Sequence, residues 1–517
     1  MHDSPSLPHL TRRNFLQATG AAAAVAAAGR LGAAVSSPNP AILGGRKQII
    51  LQMDAIAFAD DGVERVLDEA QQATSANTLL LDSLWFASDV SAEGLTKLAT
   101  RGRVKDPRSS LIGGKMGFMR RQYYQDTGLD LRAWEPVTSV PDILAAVIAG
   151  ARKRKMGVIS IIKDDVPEVP GHEALLEHDF NGQRASTSCK NNPRYRRLLA
   201  GTMEDLIRSY DVDGIMYMAE RQGPLSDTLG LRFRGKERGR PGSRTCFCTH
   251  CQETARSLGI NFERAKKGFE QLADFVAEGR AGRRPRDGYY VTLWRLMLRY
   301  PELLAWEHMW HENLRGVHQL LHRTIKGVRS TVQHGMHVWP NISMNPLLVA
   351  EHDFAELGQY HDFIKMSVYH NAGGPRMASY VESVAQTMFG DLSQEEVLEF
   401  HYRVLNFDEA PLNQIRQKGL SADYVYRQTK RAIEGAKGTA AKIYPGLDVD
   451  IPVMQLDMGA APLAEASKSS RQNIKDIVIQ SFRAGAPGIV LSREYSEMNL
   501  EHLRGAGDAI RELRLQV

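Results

Sequence analysis

The stretch Tyr210-Asp211-Val212-Asp213-Gly214-Ile215-Met216-Tyr217-Met218-Ala219-Glu220-Arg221 decides how the chain reads. Upstream of it, Tyr195, Leu199, Met203, Leu206 and Tyr210 recur at i, i+4, i+8, i+11 and i+15, which is one face of a helix. Gly214–Met218 then gives a short apolar run, the signature of a strand covered on both faces. An acid and an arginine follow at once. A helix feeding a buried strand that ends in charge is the repeating step of a parallel α/β fold.

Working outward, the same step recurs. Further apolar runs stand at Ile49–Met53, Thr78–Leu81, Val158–Ile162, Gly335–Trp339, Phe363–Val368, Ile451–Leu456 and Gly488–Leu491. Helical periods lie between them; Tyr426, Thr429, Ile433 and Ala436 form one before the seventh run. Eight strands alternating with helices predict an α/β fold of the closed (β/α)8 TIM-barrel type over residues 47–517. An open doubly wound sheet would carry a glycine-rich phosphate loop after its first strand. Met53-Asp54-Ala55-Ile56 is no such loop. Two stretches exceed a simple barrel: an insertion over 222–290 after strand four, and a helical insertion over Leu392–Gln417 after strand six. The basic run Arg232, Arg234, Lys236, Arg238, Arg240 and Arg244 reads as a solvated loop.

Composition sets outer bounds. The chain has 517 residues, 43% hydrophobic and 24% charged, with a formal net charge of +5, and so is expected to be a soluble globular protein. That charge predicts neither a nucleic acid nor an anionic membrane as partner. Residues 1–38 read as an export signal and linker: Arg12-Arg13-Asn14-Phe15-Leu16 resembles a twin-arginine motif, and a short apolar Ala21–Ala28 stretch follows. The expected destination is the periplasm or the medium, with no membrane association after cleavage.

The four cysteines are Cys189, Cys246, Cys248 and Cys251, and three of them form Cys-x-Cys-x-x-Cys. Four thiolates suit a closed, structural zinc site, which leaves no open coordination position. Two disulfides are the rival for an exported chain. A distant cysteine followed by Cys-x-Cys-x-x-Cys after strand four resembles the zinc site of the family 42 glycoside hydrolases, the barrel β-galactosidases. Cys189-Lys190-Asn191-Asn192-Pro193 and Val212-Asp213-Gly214-Ile215 also resemble a broader set of bacterial glycoside hydrolases of undefined substrate. The resemblance covers mainly residues 180–255.

What the resemblance implies is hydrolysis of a glycosidic bond, with the acid/base after strand four and the nucleophile after strand seven. On this sequence those positions are Glu220 and Asp457. Ala219 stands where the family has Asn, and Asp457 where it has Glu, so Glu494 enters as a second candidate for the other carboxylate. Retention is the expected outcome, with inversion the alternative if the two carboxyls stand further apart.

Strand ends collect the remaining candidates, because barrel chemistry sits at the C-terminal face. Asp54, Asp82, Trp85, Asp164, Arg221, His337, Trp339, Asn341, Lys365, Tyr369, His370 and Arg493 are expected to bind substrate. Trp85, Trp339 and Tyr369 suit stacking on a sugar face. Lys365, alone in an apolar strand, is expected to pair with an acid such as Asp457 or Glu220. The partner is therefore a carbohydrate or glycoside, the protein is a candidate homo-oligomer, and no organic cofactor is expected. Two other readings remain open. One is a metal-dependent sugar isomerase or epimerase using His337 and His370 as ligands; the other is a carbohydrate-binding barrel without catalysis.

Overall fold

A computed structural model describes residues 46–84, 99–100, 103–104, 119–131, 142–164, 166, 169–231, 244–450 and 469–517. Its centre is a closed barrel of eight parallel strands, each bonded to the next in chain order and the last to the first. They are β1 (Gln48–Met53), β2 (Thr78–Leu84), β3 (Gly157–Lys163), β4 (Gly214–Met218), β5 (Gln333–Val338), β6 (Phe363–Ser367), β7 (Lys442–Asp448) and β8 (Gly488–Ser492). Around them run α1 (Val63–Thr74), α2 (Ile143–Lys153), α3 (Pro193–Ser209), α4 (Thr249–Ser257), α5 (Phe262–Arg280), α6 (Tyr289–Arg299) and α7 (Glu302–Val328). The ring is completed by α8 (Gly373–Val384), α9 (Gln394–Leu405), α10 (Ala422–Gly435), α11 (Arg471–Arg483) and α12 (Leu500–Glu512). The fold is a (β/α)8 TIM barrel.

Seven of the eight predicted strands lie where expected. The seventh does not. The barrel's seventh place is filled by Lys442–Asp448, while Ile451–Leu456 lies outside the described residues. The predicted face of α3 is buried as read, with Tyr195, Leu199, Met203, Leu206 and Tyr210 all in the core. On α10 the buried face is rotated: Tyr424, Val425, Gln428, Thr429 and Ala432 are covered, and Tyr426 and Ile433 only partly so.

Alternation within the strands divides the interior into two. Ile49, Leu51 and Met53 face the helices, whereas Ile50 joins Leu80, Ile159, Ile161, Met216, Phe363, Tyr444 and Val490 in a separate apolar plug inside the barrel. Further along five of the strands the same inward row turns polar, with Gln52, Asp82, Lys163, His337 and Lys365. The plug is thus the floor of a polar mouth. Phe363 has its place because β5 carries a glycine beside it: a Cβ on Gly335 would lie 2.0 Å from the ring. Gly335→Ala is expected to destabilise the protein by about 1–3 kcal/mol through overpacking, measurable as a lower denaturation midpoint with an unchanged slope.

Candidate active site

Glu220 follows β4 by two residues, and its side chain is 35% exposed. Its Oε1 lies 3.0 Å from Nε2 of His337, which reaches inward from β5 and is buried. Burial lowers the pKa of His337, with the Glu220 hydrogen bond acting against that shift. The ring is therefore neutral at neutral pH and donates Nε2–H to the carboxylate.

Lys365 projects from β6 with 1% exposure. Its neighbour Gly446 makes room for it, since a Cβ there would stand 2.9 Å from the lysine Cε. The Nζ donates to Gln52 Oε1 at 2.7 Å, and Gln52 Nε2 donates to Glu494 Oε1 at 3.2 Å. The sequence expected an acid against Lys365; the direct contact is an amide that links the lysine to an acid. Burial drives the Lys365 pKa down to about 7, while the charges of Glu494 and Glu220 pull it back up. Both carboxyls thus act on one ammonium group across the mouth.

Glu494, two residues beyond β8, is buried. Burial first, then the nearby charges of Asp82, Asp54 and Glu497, hold its pKa well above the usual carboxylate range; Lys163 opposes them. Lys163 Nζ sits 3.9 Å from Glu494 Oε1 and is bonded to Asp82. Asp54 accepts a hydrogen bond from Ser496. Glu497, one of the acids around Glu494, is pushed by burial to about 7.

The other strand ends are tied differently. His370 Nδ1 lies 2.7 Å from Asp448 Oδ1 at the end of β7, and Asp448 also accepts the backbone N–H groups of His370 and Ala372. Burial would raise the Asp448 pKa, but His370, the Ala372 N–H and the charge of Arg493 outweigh it and lower it. Tyr369 is flanked by two cations, with the guanidinium carbons of Arg493 and Arg376 at 4.7 and 5.7 Å from its ring centre. Arg493 takes a φ of 95°, rare for a residue with a Cβ, so its placement is over-determined by its surroundings. Arg221 is bonded to Glu177, with Asp164 3.7 Å away. Asp164 in turn accepts from Lys190 at 2.8 Å. Arg221 and Asp164 therefore brace the β4 end against the short hairpin Leu176–His178/Arg184–Ser188. Trp339 is buried, and Asn341 falls in the turn Pro340–Ser343. Trp85 and Asp457 lie outside the described residues.

Gln52, Asp448, Glu497 and Glu177 were missed by the sequence reading. Gln52 was legible in principle: it occupies an inward position, two residues after Ile50, in the otherwise apolar run Ile49–Met53. Asp448 was lost with the misplaced seventh strand. Several buried polar atoms have no hydrogen-bond partner among the described residues: Glu494 Oε2, His337 Nδ1, His370 Nε2, Asp82 Oδ1 and Ser367 Oγ. Leaving such groups unsatisfied costs about 1–3 kcal/mol each, so the mouth suits a ligand rich in hydroxyls. The loops after β2 and β3 also meet around an open groove of about 560 Å³ lined by Arg121, Tyr124, Asp130 and Pro170.

Lys365→Met tests the strain in this layer. The folded pKa of about 7 lies below the ordinary 10.5. Below pH 7 the buried charge therefore weighs fully against folding, and the penalty fades as pH rises from 7 to 10.5. Set against the stranded Gln52 amide, the variant is expected to be about 2 kcal/mol more stable than wild type at pH 6 and less stable than wild type by about pH 10. Urea melts at both pH values measure it.

The four cysteines converge beside the barrel. All are buried, none is disulfide-bonded, and their sulfurs lie within 4.8 Å of one another. Cys189 Sγ is 3.6 Å from Cys251 Sγ and 3.4 Å from Cys248 Sγ. The Asn-Asn-Pro segment builds this corner. Asn192 caps α3 ahead of Pro193, accepting from Arg194 N at 2.9 Å, while Asn191 Nδ2 donates to the carbonyl of His250, between Cys248 and Cys251, at 2.8 Å. Tetrahedral zinc, with Zn–S near 2.3 Å, requires sulfurs about 3.8 Å apart, so the cluster can hold a metal ion.

Fold and site together define a (β/α)8 barrel with an acid- and lysine-lined mouth and a four-cysteine corner. No known family profile matches the chain, and no curated protein does so by sequence. Solved structures match in shape at low identity. The glycoside hydrolase domain of PgaB (BpsB) from Bordetella bronchiseptica is 11% identical, covering 91% of this chain and 99% of that one at a TM-score of 0.48. A β-galactosidase from Marinomonas ef1 is 9% identical, covering 90% of this chain and 59% of that one at 0.46. A class V chitinase from Pseudomonas fluorescens Pf-5 is 9% identical, covering 90% and 99% at 0.38.

Proposed function

We propose that the chain is a glycoside hydrolase in which Glu220 is the acid/base and Glu494 the second carboxylate. The observation that carries this reading is the pairing of two unlike carboxyls around Lys365. Glu220 is half-exposed at the end of β4 and held by a neutral histidine; Glu494 is buried beyond β8 among other acids. Two carboxyls in unlike surroundings, one able to carry a proton and the other acting ionised, are what acetal cleavage requires. Glu220 gives its proton to the glycosidic oxygen. Glu494 acts in its ionised form, which the Lys163 and Lys365 ammonium groups favour against the effect of burial, and stabilises the positive charge developing at the anomeric carbon. His337 orients Glu220, and the unsatisfied polar atoms of the mouth hold sugar hydroxyls. Asp457, outside the described residues, remains the alternative for the second carboxylate.

The same reading gives the four cysteines one structural zinc and routes the protein through twin-arginine export to the periplasm or medium. A metal-dependent isomerase is less well supported, because His337 and His370 are each engaged by a carboxylate. The test is a panel of aryl glycosides of differing sugar and anomer, followed by NMR for the configuration of the first product. Turnover on at least one sugar, with configuration retained, is expected. Saturable binding of sugars without release of any aglycone would replace this reading with that of a binding barrel.

A further inference from the structure

A second cluster lies between the barrel wall and its helices, on the outer side of β5. His318 comes from α7, His334 from the start of β5, and His361 from the turn just before β6; all are buried, with exposures of 2%, 0% and 3%. One nitrogen from each lies within 4.8 Å of the others.

The backbone fixes how two of these rings are protonated. His361 Nδ1 is 2.8 Å from the Leu357 carbonyl, and His334 Nδ1 is 3.0 Å from the Tyr360 carbonyl. A carbonyl can only accept, so both rings carry their proton on Nδ1 and leave a lone pair on Nε2. The His361 lone pair meets His318 Nδ1 at 2.9 Å, while His334 Nε2 is fully buried with no hydrogen-bond partner among the described residues. Imidazoles that bind metal are held in just this manner, with the far N–H given to a backbone carbonyl. A further imidazole stands beside them: His322, one helical turn on from His318, has its ring centre 5.7 Å from that of His334.

We infer that His318, His334 and His361 form a buried binding site for a divalent transition ion of the zinc class, tying α7 to the N-terminal ends of β5 and β6. Three neutral imidazoles are a donor set for borderline-soft ions and a poor one for magnesium or calcium. Metal–nitrogen bonds near 2.0–2.1 Å place tetrahedral ligands about 3.3 Å apart, a spacing compatible with three nitrogens that lie within 4.8 Å of one another. On binding, His318 carries its proton on Nε2 and offers Nδ1 to the ion. The site shares no ligand with the cysteine cluster and takes no part in the chemistry at Glu220.

The test uses the full chain, stripped of metal and refolded with zinc alone. Elemental analysis is expected to give one zinc more per chain in wild type than in His361→Leu, with the cysteines intact in both. Crystals of wild type, measured across the zinc absorption edge, should show an anomalous peak among the three histidines; this arm stands even if the variant fails to fold. A peak among the cysteines with none at the histidines overturns the inference, as does zinc content unchanged in a folded His361→Leu protein.

Discussion

Glu220→Gln is expected to lower kcat by about 10²–10⁴-fold on glycosides with poor leaving groups, while the fold is kept. Those aglycones cannot depart without a proton, and glutamine has none to give. Glycosides of strongly acidic phenols leave unaided, so their bond-breaking step should be hardly affected. Such dependence on the leaving group separates an acid from a residue that merely shapes the mouth. The structural cost should be small: Glu220 is part-exposed at the rim, and the glutamine carbonyl still accepts the hydrogen bond from His337 Nε2. Steady-state kinetics on a series of aryl leaving groups measures it, and an equal loss on every aglycone would contradict the assignment.

Cys248→Ser is expected to remove one zinc per chain and to lower the melting temperature by on the order of 10 °C. Cys248 stands directly before α4 and brings its sulfur to Cys189, a few residues ahead of α3, so an ion bound there would link the segment after β4 to the helix before it. The serine oxygen is a poor substitute for thiolate, and the remaining three cysteines would be left buried without their shared charge partner. Zinc content by elemental analysis and melting by circular dichroism provide the check. A variant that keeps its zinc and its melting point would show that the cluster is held by packing alone.

The barrel was legible because strands covered on both faces leave continuous apolar runs, which seven of the eight segments have. The seventh defeated that rule. Lys442-Ile443-Tyr444-Pro445-Gly446-Leu447-Asp448 carries a proline and a glycine, which normally argue against a central strand. In the barrel both are tolerated: Pro445 stands in register with Met366, and Gly446 leaves space for the stem of Lys365. The apolar Ile451–Leu456 run nearby was the more conventional candidate, and choosing it hid Asp448.

Within the site, position was more legible than partnership. Glu220, His337, Lys365 and Glu494 were each found from their places at strand ends. That His337 holds Glu220, and that Gln52 joins Lys365 to Glu494, depends on contacts between different strands, among residues up to 442 positions apart. Strand spacing alone carries no such information. The same limit applies to His318, His334 and His361, which are scattered in sequence and meet only when α7 packs on β5.

In the proposed hydrolase Glu494 faces the anomeric carbon while Glu220 serves the leaving group. Fluorosugar glycosides with activated leaving groups trap the covalent intermediate of a retaining enzyme, and peptide mapping by mass spectrometry then locates the sugar. The account predicts one sugar per chain, attached to the peptide containing Glu494. Attachment to Asp457, or to any other carboxylate, would contradict it.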